Sequence, residues 1–213
     1  HEECKGRHGL TPAAYMEKHG IFDSPTTAAH CVWLEDEDFD ILKRHGVTVA
    51  CCPASNLKLA SGYANVPKML ESGINVALGT DGAASNNNLN IMQDMYLFGV
   101  VYKGYFRDPT IITPAEVLHV ATRAGALSQG RADSGLLAVG MRADLCVLNT
   151  DTPQFTPMTS AACNVVYAAQ GADIRMTMVD GEVLYRDGEF KTIDIEKVKA
   201  EVQRRTDSIL SRL

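Results

Sequence analysis

The sequence predicts an α/β fold in which short apolar strands alternate with helices and an antiparallel portion follows. Apolar stretches at residues 26–29, 47–52 and 75–79 are separated by helical segments, an alternation typical of parallel strands with crossover helices. After about residue 133 the character changes, and the pair Asp180-Gly181 predicts a tight antiparallel turn. The residues alone leave the first part open between a β/α barrel and a doubly wound sheet. The sequence contains no GxGxxG fingerprint, which disfavours a dinucleotide-binding sheet.

The composition limits the possible function classes. The 213 residues are 46% hydrophobic and 22% charged, which is enough to bury a core of ordinary size. The net charge of −6 argues against nucleic-acid binding, and no apolar run approaches the roughly 20 residues of a membrane span. Six scattered cysteines without a CxxC pair indicate reduced thiols in a cytoplasmic protein, not a disulfide framework or a structural zinc site.

The first elements have recognisable boundaries. A helix is predicted to end at Gly9, and Thr11-Pro12 begins the next one, with threonine as the cap and proline in the first turn. The first strand ends at His30, and an amphipathic helix covers residues 35–45. The second strand stops at Pro53.

The middle of the chain continues the alternation. We expect a polar loop at residues 55–59, a helix at residues 66–72 and a third strand that leads to Asp81. Longer helices are predicted at residues 89–105 and at residues 113–126, the latter with a capping box at its start.

The last part is predicted to form β-strands at residues 143–148, 165–169, 174–179 and 182–185. Asp194 is expected to cap a C-terminal amphipathic helix. We therefore divide the chain into residues 1–133 and residues 134–213.

His30 and Asp81 are the candidate site residues, because each follows a predicted parallel strand. The carboxyl ends of parallel strands meet at one face, where active sites lie. An imidazole and a carboxylate that converge there can share a metal-bound water or orient a nucleophile. The alternative is structural: Asp81 caps the following helix and His30 satisfies a local hydrogen bond. The residues alone leave both possibilities open.

Polar residues of the neighbouring loop face the same end. Ser55 and Asn56 bind substrate in one interpretation and form an ordinary turn in the other. Trp33 is expected to pack against the protein rather than to act as a lid. The remaining histidines lie on helices or near the terminus, so this chain alone is not expected to supply a three-ligand zinc cage.

Three segments resemble, in the same order, motifs of the amidohydrolase superfamily: Ala29-His30-Cys31-Val32-Trp33-Leu34, Pro53-Ala54-Ser55-Asn56-Leu57-Lys58-Leu59-Ala60-Ser61-Gly62 and Leu78-Gly79-Thr80-Asp81-Gly82-Ala83-Ala84-Ser85-Asn86. They look closest to its 5-methylthioadenosine/S-adenosylhomocysteine deaminase branch, near the chlorohydrolase-type (TRZ/ATZ) enzymes. A fourth segment resembles the strand that leads such chains into a small β-sandwich: Gly140-Met141-Arg142-Ala143-Asp144-Leu145.

The resemblance implies the C-terminal part of a (β/α)8 barrel, with strands six to eight in residues 1–133. It also implies the C-terminal share of a β-sandwich and a terminal helix in residues 134–213. By this resemblance Asp81 is a metal ligand that carries the proton of the attacking water, and His30 contacts substrate and helps polarise the attacked carbon. Ser55 and Asn56 match a loop beside the pocket and are substrate-binding candidates.

The departures from the family pattern define what this chain lacks. The first-strand His-x-His, the fifth-strand histidine and its nearby glutamate are absent from the sequence. The resemblance places the fifth-strand motif just upstream of Glu2, so we expect the other ligands of a divalent metal, Zn²⁺, before His1 and expect this chain to be inactive alone. In the family an asparagine often precedes the proline that corresponds to Pro53, whereas this chain has Cys52 there. This difference weakens the inference of the substrate class.

The expected activity is hydrolytic deamination of an adenine-type nucleoside by metal-activated water. The expected partner is a small purine nucleoside, with neither nucleic acid nor membrane, in a cytoplasmic homo-oligomer of the full-length protein. One alternative is a hydrolase of a cyclic amide, a guanine- or cytosine-type base or a chloro-triazine with the same site. Another is a non-catalytic half-barrel that needs a partner chain to cover its sheet edges and apolar surface.

Overall fold

The computed structural model describes residues 1–212, which form two sheets. The first sheet is parallel, in the order β1 (Thr27–Ala29), β2 (Thr48–Cys51) and β3 (Val76–Leu78). The second is antiparallel, in the order β4 (Leu145–Leu148), β5 (Ile174–Val179), β6 (Glu182–Arg186) and β7 (Glu189–Phe190). The predicted α/β class, with parallel strands before an antiparallel portion, is confirmed.

The helices lie between and after these strands. Within the described residues they are α1 (Glu2–His8), α2 (Pro12–Lys18), α3 (Asp36–Arg44), α4 (Pro53–Lys58), α5 (Val66–Glu71), α6 (Ala83–Asn86), α7 (Ile91–Phe106), α8 (Pro114–Ala121), α9 (Arg123–Ser128), α10 (Ala161–Tyr167) and α11 (Ile195–Leu210). As predicted, the Asp194 side chain caps α11 by accepting a hydrogen bond from the Lys197 N–H at 3.0 Å. Every helix in residues 1–212 is too short or too polar to cross a bilayer.

The register of the parallel sheet brings the strand ends to one edge. Ala29 pairs with Ala50, and Cys51 pairs with Leu78. The ladder continues one residue past β1, where the His30 N–H donates to the Ala50 carbonyl at 2.8 Å. The residues that follow the three strands therefore emerge side by side.

The core lies between this sheet and the helices that cover it. Val49 and Val76 of the sheet, Met69 of α5 and Phe98 of α7 are each at most 1% exposed. Burying one such side chain stabilises the fold by roughly 1.5–3 kcal/mol. This packing makes the sheet a rigid base for the loops at its carboxyl edge.

Residues 165–169 do not form the predicted strand, because they belong largely to α10. Ser160 caps this helix by accepting a hydrogen bond from a backbone N–H at 3.3 Å. Val166 is 1% exposed, and a Cβ built at Gly99 of α7 would lie 3.3 Å from it. Two consecutive valines resemble a strand in sequence, but the cap and the close helix approach favour a helix.

Two other predictions differ in detail. Residues 55–59 fall mostly in α4, since Pro53 suits the first helical turn, where its missing N–H is not needed. The helix that begins after Thr113 does have the predicted capping box with Glu116. It breaks at Thr122, whose φ of −126° and ψ of −81° are not helical, so α8 and α9 are separate.

The division of the chain at residues 133 and 134 stays a prediction. The antiparallel sheet lies wholly beyond that point, whereas α10 packs against α7 and α8, which lie before it. The two parts are thus in contact through a helix from the second part.

Candidate active site

The carboxyl edge of the parallel sheet opens into a cavity of about 410 Å³. His30 directly follows β1, Asp81 follows β3 by three residues, and both line this cavity with Ser55 of α4. His30 Nε2 lies 3.9 Å from Asp81 Oδ2. The structure therefore brings together the histidine and the aspartate that the strand pattern singled out.

Both residues have an unusual backbone conformation. His30 has a φ of 66°, Cys31 a φ of 47° and Asp81 a φ of 60°, all in the left-handed region. Residues with a side chain seldom adopt it. Such strain concentrates at functional sites, where the surrounding structure holds it in place. This conformation is not indicated by strand and turn patterns.

The Asp81 carboxylate is held by two serine hydroxyls. Ser55 Oγ and Ser85 Oγ each donate to Asp81 Oδ2 at 2.7 Å. These two hydrogen bonds, followed by one from the Gly82 backbone, lower the pKa of Asp81 from 3.8 to about 2. The carboxylate is therefore ionised throughout the neutral range. Ser85 was missed in the sequence, although its place four residues after Asp81, within α6, is a usable signal.

The His30 ring is oriented by Asn56. His30 Nδ1 and Asn56 Oδ1 are 2.8 Å apart, and Asn56 is 2% exposed. An amide oxygen only accepts hydrogen bonds, so Nδ1 carries the hydrogen of this contact. In the neutral ring, Nε2 then presents a lone pair towards Asp81.

Two consecutive residues of α4 therefore form hydrogen bonds with the two candidate residues. Ser55 reaches Asp81 and Asn56 reaches His30. Both α4 residues are 2% exposed, and these polar contacts are directed within the protein. The prediction that Ser55 and Asn56 bind substrate stays a prediction.

Apolar residues form the outer wall of the cavity, namely Val32, Trp33 and Leu59. Trp33 is 67% exposed, so the expectation that it packs into the protein is wrong. Gly62 lies against this wall with a φ of 113°, and a Cβ there would be 3.0 Å from Val32 and 3.5 Å from Trp33. The wall offers an apolar surface of the kind that accepts an aromatic ring.

The donor chemistry suits one side of a metal site. Within residues 1–212 no cluster of three or more His, Cys, Asp or Glu side chains is arranged to hold a metal ion. Asp81 and His30 offer an oxygen and a nitrogen, both of which zinc accepts. Because a catalytic zinc takes three protein ligands, these residues fit part of such a site. The role of Asp81 as a metal ligand stays a prediction.

The chain matches known proteins along most of its length. A profile described as "Amidohydrolase family" matches residues 1–184. A 5-methylthioadenosine/S-adenosylhomocysteine deaminase of Acetivibrio thermocellus is 44% identical over 210 residues, which cover 98% of this chain and 49% of that protein. A 5′-deoxyadenosine deaminase of Methanothermobacter thermautotrophicus is 43% identical over 192 residues, which cover 90% of this chain and 45% of that protein. The chain thus spans about half the length of the curated relatives it matches.

Solved structures match equally far. An adenosine deaminase of Xanthomonas campestris with bound zinc superposes with a TM-score of 0.95 at 27% identity, over 99% of this chain and 48% of that one. The atrazine chlorohydrolase TrzN of Arthrobacter aurescens, complexed with zinc, superposes with a TM-score of 0.87 at 27% identity, over 94% of this chain and 45% of that one. Both parts of the chain therefore have the arrangement found in these enzymes.

Proposed function

Because the chain belongs to the amidohydrolase family, we propose that the protein containing it deaminates an adenine-type nucleoside of the 5-methylthioadenosine or S-adenosylhomocysteine class. The names of the relatives that are 40–44% identical support this class of substrate. The observation that carries the proposal is the pair His30 and Asp81, which converge in one cavity under fixed hydrogen bonds. The 213 residues are expected to be inactive alone, since the chain covers about half of those relatives.

The reaction replaces an amino group with oxygen. Water adds to the amino-bearing carbon of the purine. One of its protons leaves with ammonia, and the other ends on the adjacent ring nitrogen of the product. To Asp81, and specifically to Oδ1, we assign the transfer of the proton that leaves with ammonia, because Oδ2 already accepts two hydroxyl hydrogens. His30 contacts the substrate through Nε2, the ring nitrogen that faces Asp81.

A divalent metal, which we propose to be zinc, would act as a Lewis acid and make the water a stronger nucleophile. The zinc in the matching adenosine deaminase and TrzN structures supports this choice. Asp81 would hold it, together with ligands from outside these residues. Ser55 and Ser85 keep the carboxylate ionised and oriented, as a ligand must be.

The test is ammonia release from methylthioadenosine and S-adenosylhomocysteine by the intact protein and its Asp81→Asn variant. Asparagine tolerates the φ of 60° at this position, whereas alanine would add backbone strain. We expect a loss of at least about 100-fold, the usual contribution of a proton-transfer residue. Asp40→Asn on the exposed side of α3 is the matched control and should retain activity. Full activity in Asp81→Asn would disprove the role of Asp81.

A chlorinated triazine is the second substrate to assay, because TrzN matches over 94% of the chain. The measured product is chloride, under the same conditions. Chloride release without ammonia release from either nucleoside would show that the family site is present and that the proposed substrate class is wrong.

We also propose a cytoplasmic location, supported by the six cysteines, all of which are free thiols in the described residues. The expected homo-oligomer of the intact protein stays a prediction. Size-exclusion chromatography with light scattering of the intact protein measures it directly.

A further inference from the structure

Asp94 is a buried carboxylate that lies outside the cavity. It is on the first turn of α7 and is 1% exposed. Burial raises its pKa, and the hydrogen bonds that it accepts from Ala54 and Asn86 oppose this effect. A carboxylate in such surroundings is costly unless its oxygens are satisfied. Both of its oxygens are satisfied, by groups from two separate segments.

One oxygen holds the start of α4. The Ala54 N–H donates to Asp94 Oδ1 at 3.0 Å. Ala54 is followed at once by Ser55, which donates to Asp81, and by Asn56, which contacts His30. This contact therefore sets the position of the helix that orients both candidate residues.

The other oxygen holds the loop that carries Asp81. Asn86 Nδ2 donates to Asp94 Oδ2 at 3.0 Å, and its second hydrogen goes to the Thr80 carbonyl at 2.8 Å. Thr80 directly precedes Asp81, which has a left-handed backbone conformation. Asp94 thus reaches both sides of the Ser55–Asp81 contact.

We propose that Asp94 is a positioning residue of the active site, which holds α4 through Ala54 and the Asp81 loop through Asn86. This inference rests on the proposed function, since it concerns the same site. It makes the spacing between His30 and Asp81 depend on a side chain that touches neither of them.

The test compares Asp94→Asn with Asp173→Asn in the intact protein. Asparagine keeps the size of Asp94 and one acceptor oxygen, but its NH2 group would face the NH2 group of Asn86, and two donors form no hydrogen bond. Asp173 is a matched control: it is 7% exposed and accepts from one backbone N–H, of Gln170 at 2.8 Å, and from one side-chain amide, of Gln154 at 3.0 Å. It contacts none of the cavity residues named above.

We expect Asp94→Asn to lower kcat by roughly 10- to 100-fold with KM changed less than about threefold, the size of effect seen when groups behind a metal ligand are altered. Asp173→Asn should lower the melting temperature by a similar amount and change kcat by less than about threefold. Equal losses of kcat in the two variants, or an unchanged kcat in Asp94→Asn, would overturn the proposal.

A second measurement is independent of the reaction. Amide hydrogen exchange of residues 80–86 should become roughly tenfold faster in Asp94→Asn and stay unchanged in Asp173→Asn. If exchange changes as expected while the unaltered protein releases no ammonia, the positioning role stands and the proposed function fails. If ammonia is released and exchange does not change, the positioning role fails. Should Asp94→Asn not fold, Asn86→Ala removes the contacts with Asp94 and Thr80 and leaves the Ala54 contact in place, with the same exchange result expected.

Discussion

Removing the hydroxyls of Ser55 and Ser85 should raise the pKa of Asp81 from about 2 towards 3.8. Both hydroxyls donate to the same oxygen at 2.7 Å and so stabilise the ionised form. In the double variant Ser55→Ala/Ser85→Ala, the hydrogen bond from the Gly82 backbone remains, so the pKa should stop short of 3.8. Each single variant should be intermediate, with the larger change for Ser55→Ala, because Ser55 is the largest cause of the lowered pKa.

The direct assay is a ¹³C NMR titration of the Asp81 carboxyl carbon in the metal-free intact protein. Urea unfolding at several pH values checks the same effect, because the sign of the pKa change determines how the free energy of unfolding varies with pH. A lowered pKa means that the ionised carboxylate favours the folded state above the unfolded value of about 3.9, and that this contribution is lost as the pH falls through the folded value. The advantage of the unaltered protein over the double variant should therefore be constant above about pH 5 and should shrink between about pH 4 and 2.

Ser61→Ala is the control, because Ser61 lines the same cavity and is not among the causes of the lowered Asp81 pKa. It should leave the titration of Asp81 unchanged. A double variant that titrates like the unaltered protein would refute the reasoning, as would an advantage in unfolding free energy that is independent of pH.

Three further predictions concern the rest of the chain. Phe98→Ala should lower the free energy of unfolding by about 3–5 kcal/mol in a urea titration, because Phe98 is fully buried. The control Phe106→Ala, at a side chain that is 41% exposed, should lower it by under about 1 kcal/mol. Thr113→Ala removes the cap of α8 and should cost about 1 kcal/mol, with Thr113→Ser as the variant that retains the hydrogen bond. Burial raises the pKa of Cys51 to about 12, so at pH 8 a thiol reagent followed by mass spectrometry should label the exposed Cys146 and Cys163 before Cys51. Earlier labelling of Cys51 would contradict the buried strand.

Much of the fold follows from local signals that act within a few residues. Thr113 and Asp194 cap helices as predicted, because a cap depends only on its own next turn. Periodicity failed at residues 165–169, where two valines suit a strand and the packing of Val166 over Gly99 supports a helix instead. That contact joins positions far apart in the sequence, and a single-sequence pattern does not contain it.

The site was predictable to the extent that topology determines it. Parallel strands carry their following residues to one edge, so the end of β1 and the loop after β3 lead to the meeting of His30 and Asp81. The left-handed backbone at both residues and the 67% exposure of Trp33 are properties of the folded chain that strand and turn patterns do not indicate. The paired hydroxyls depend on the position of α4, which brings Ser55 to the oxygen that Ser85 also contacts.

His30 and Asp81 are held apart by their neighbours and do not form a hydrogen bond with each other. With Nδ1 bonded to Asn56, Nε2 of the neutral ring accepts hydrogen bonds, and the Asp81 carboxylate only accepts them. While the ring is neutral, these two acceptors, 3.9 Å apart, form no hydrogen bond with each other. A group that joins them must donate hydrogens or carry positive charge. A water molecule, an exocyclic amino group and a metal cation each meet that requirement, and these are the three components of the reaction proposed above.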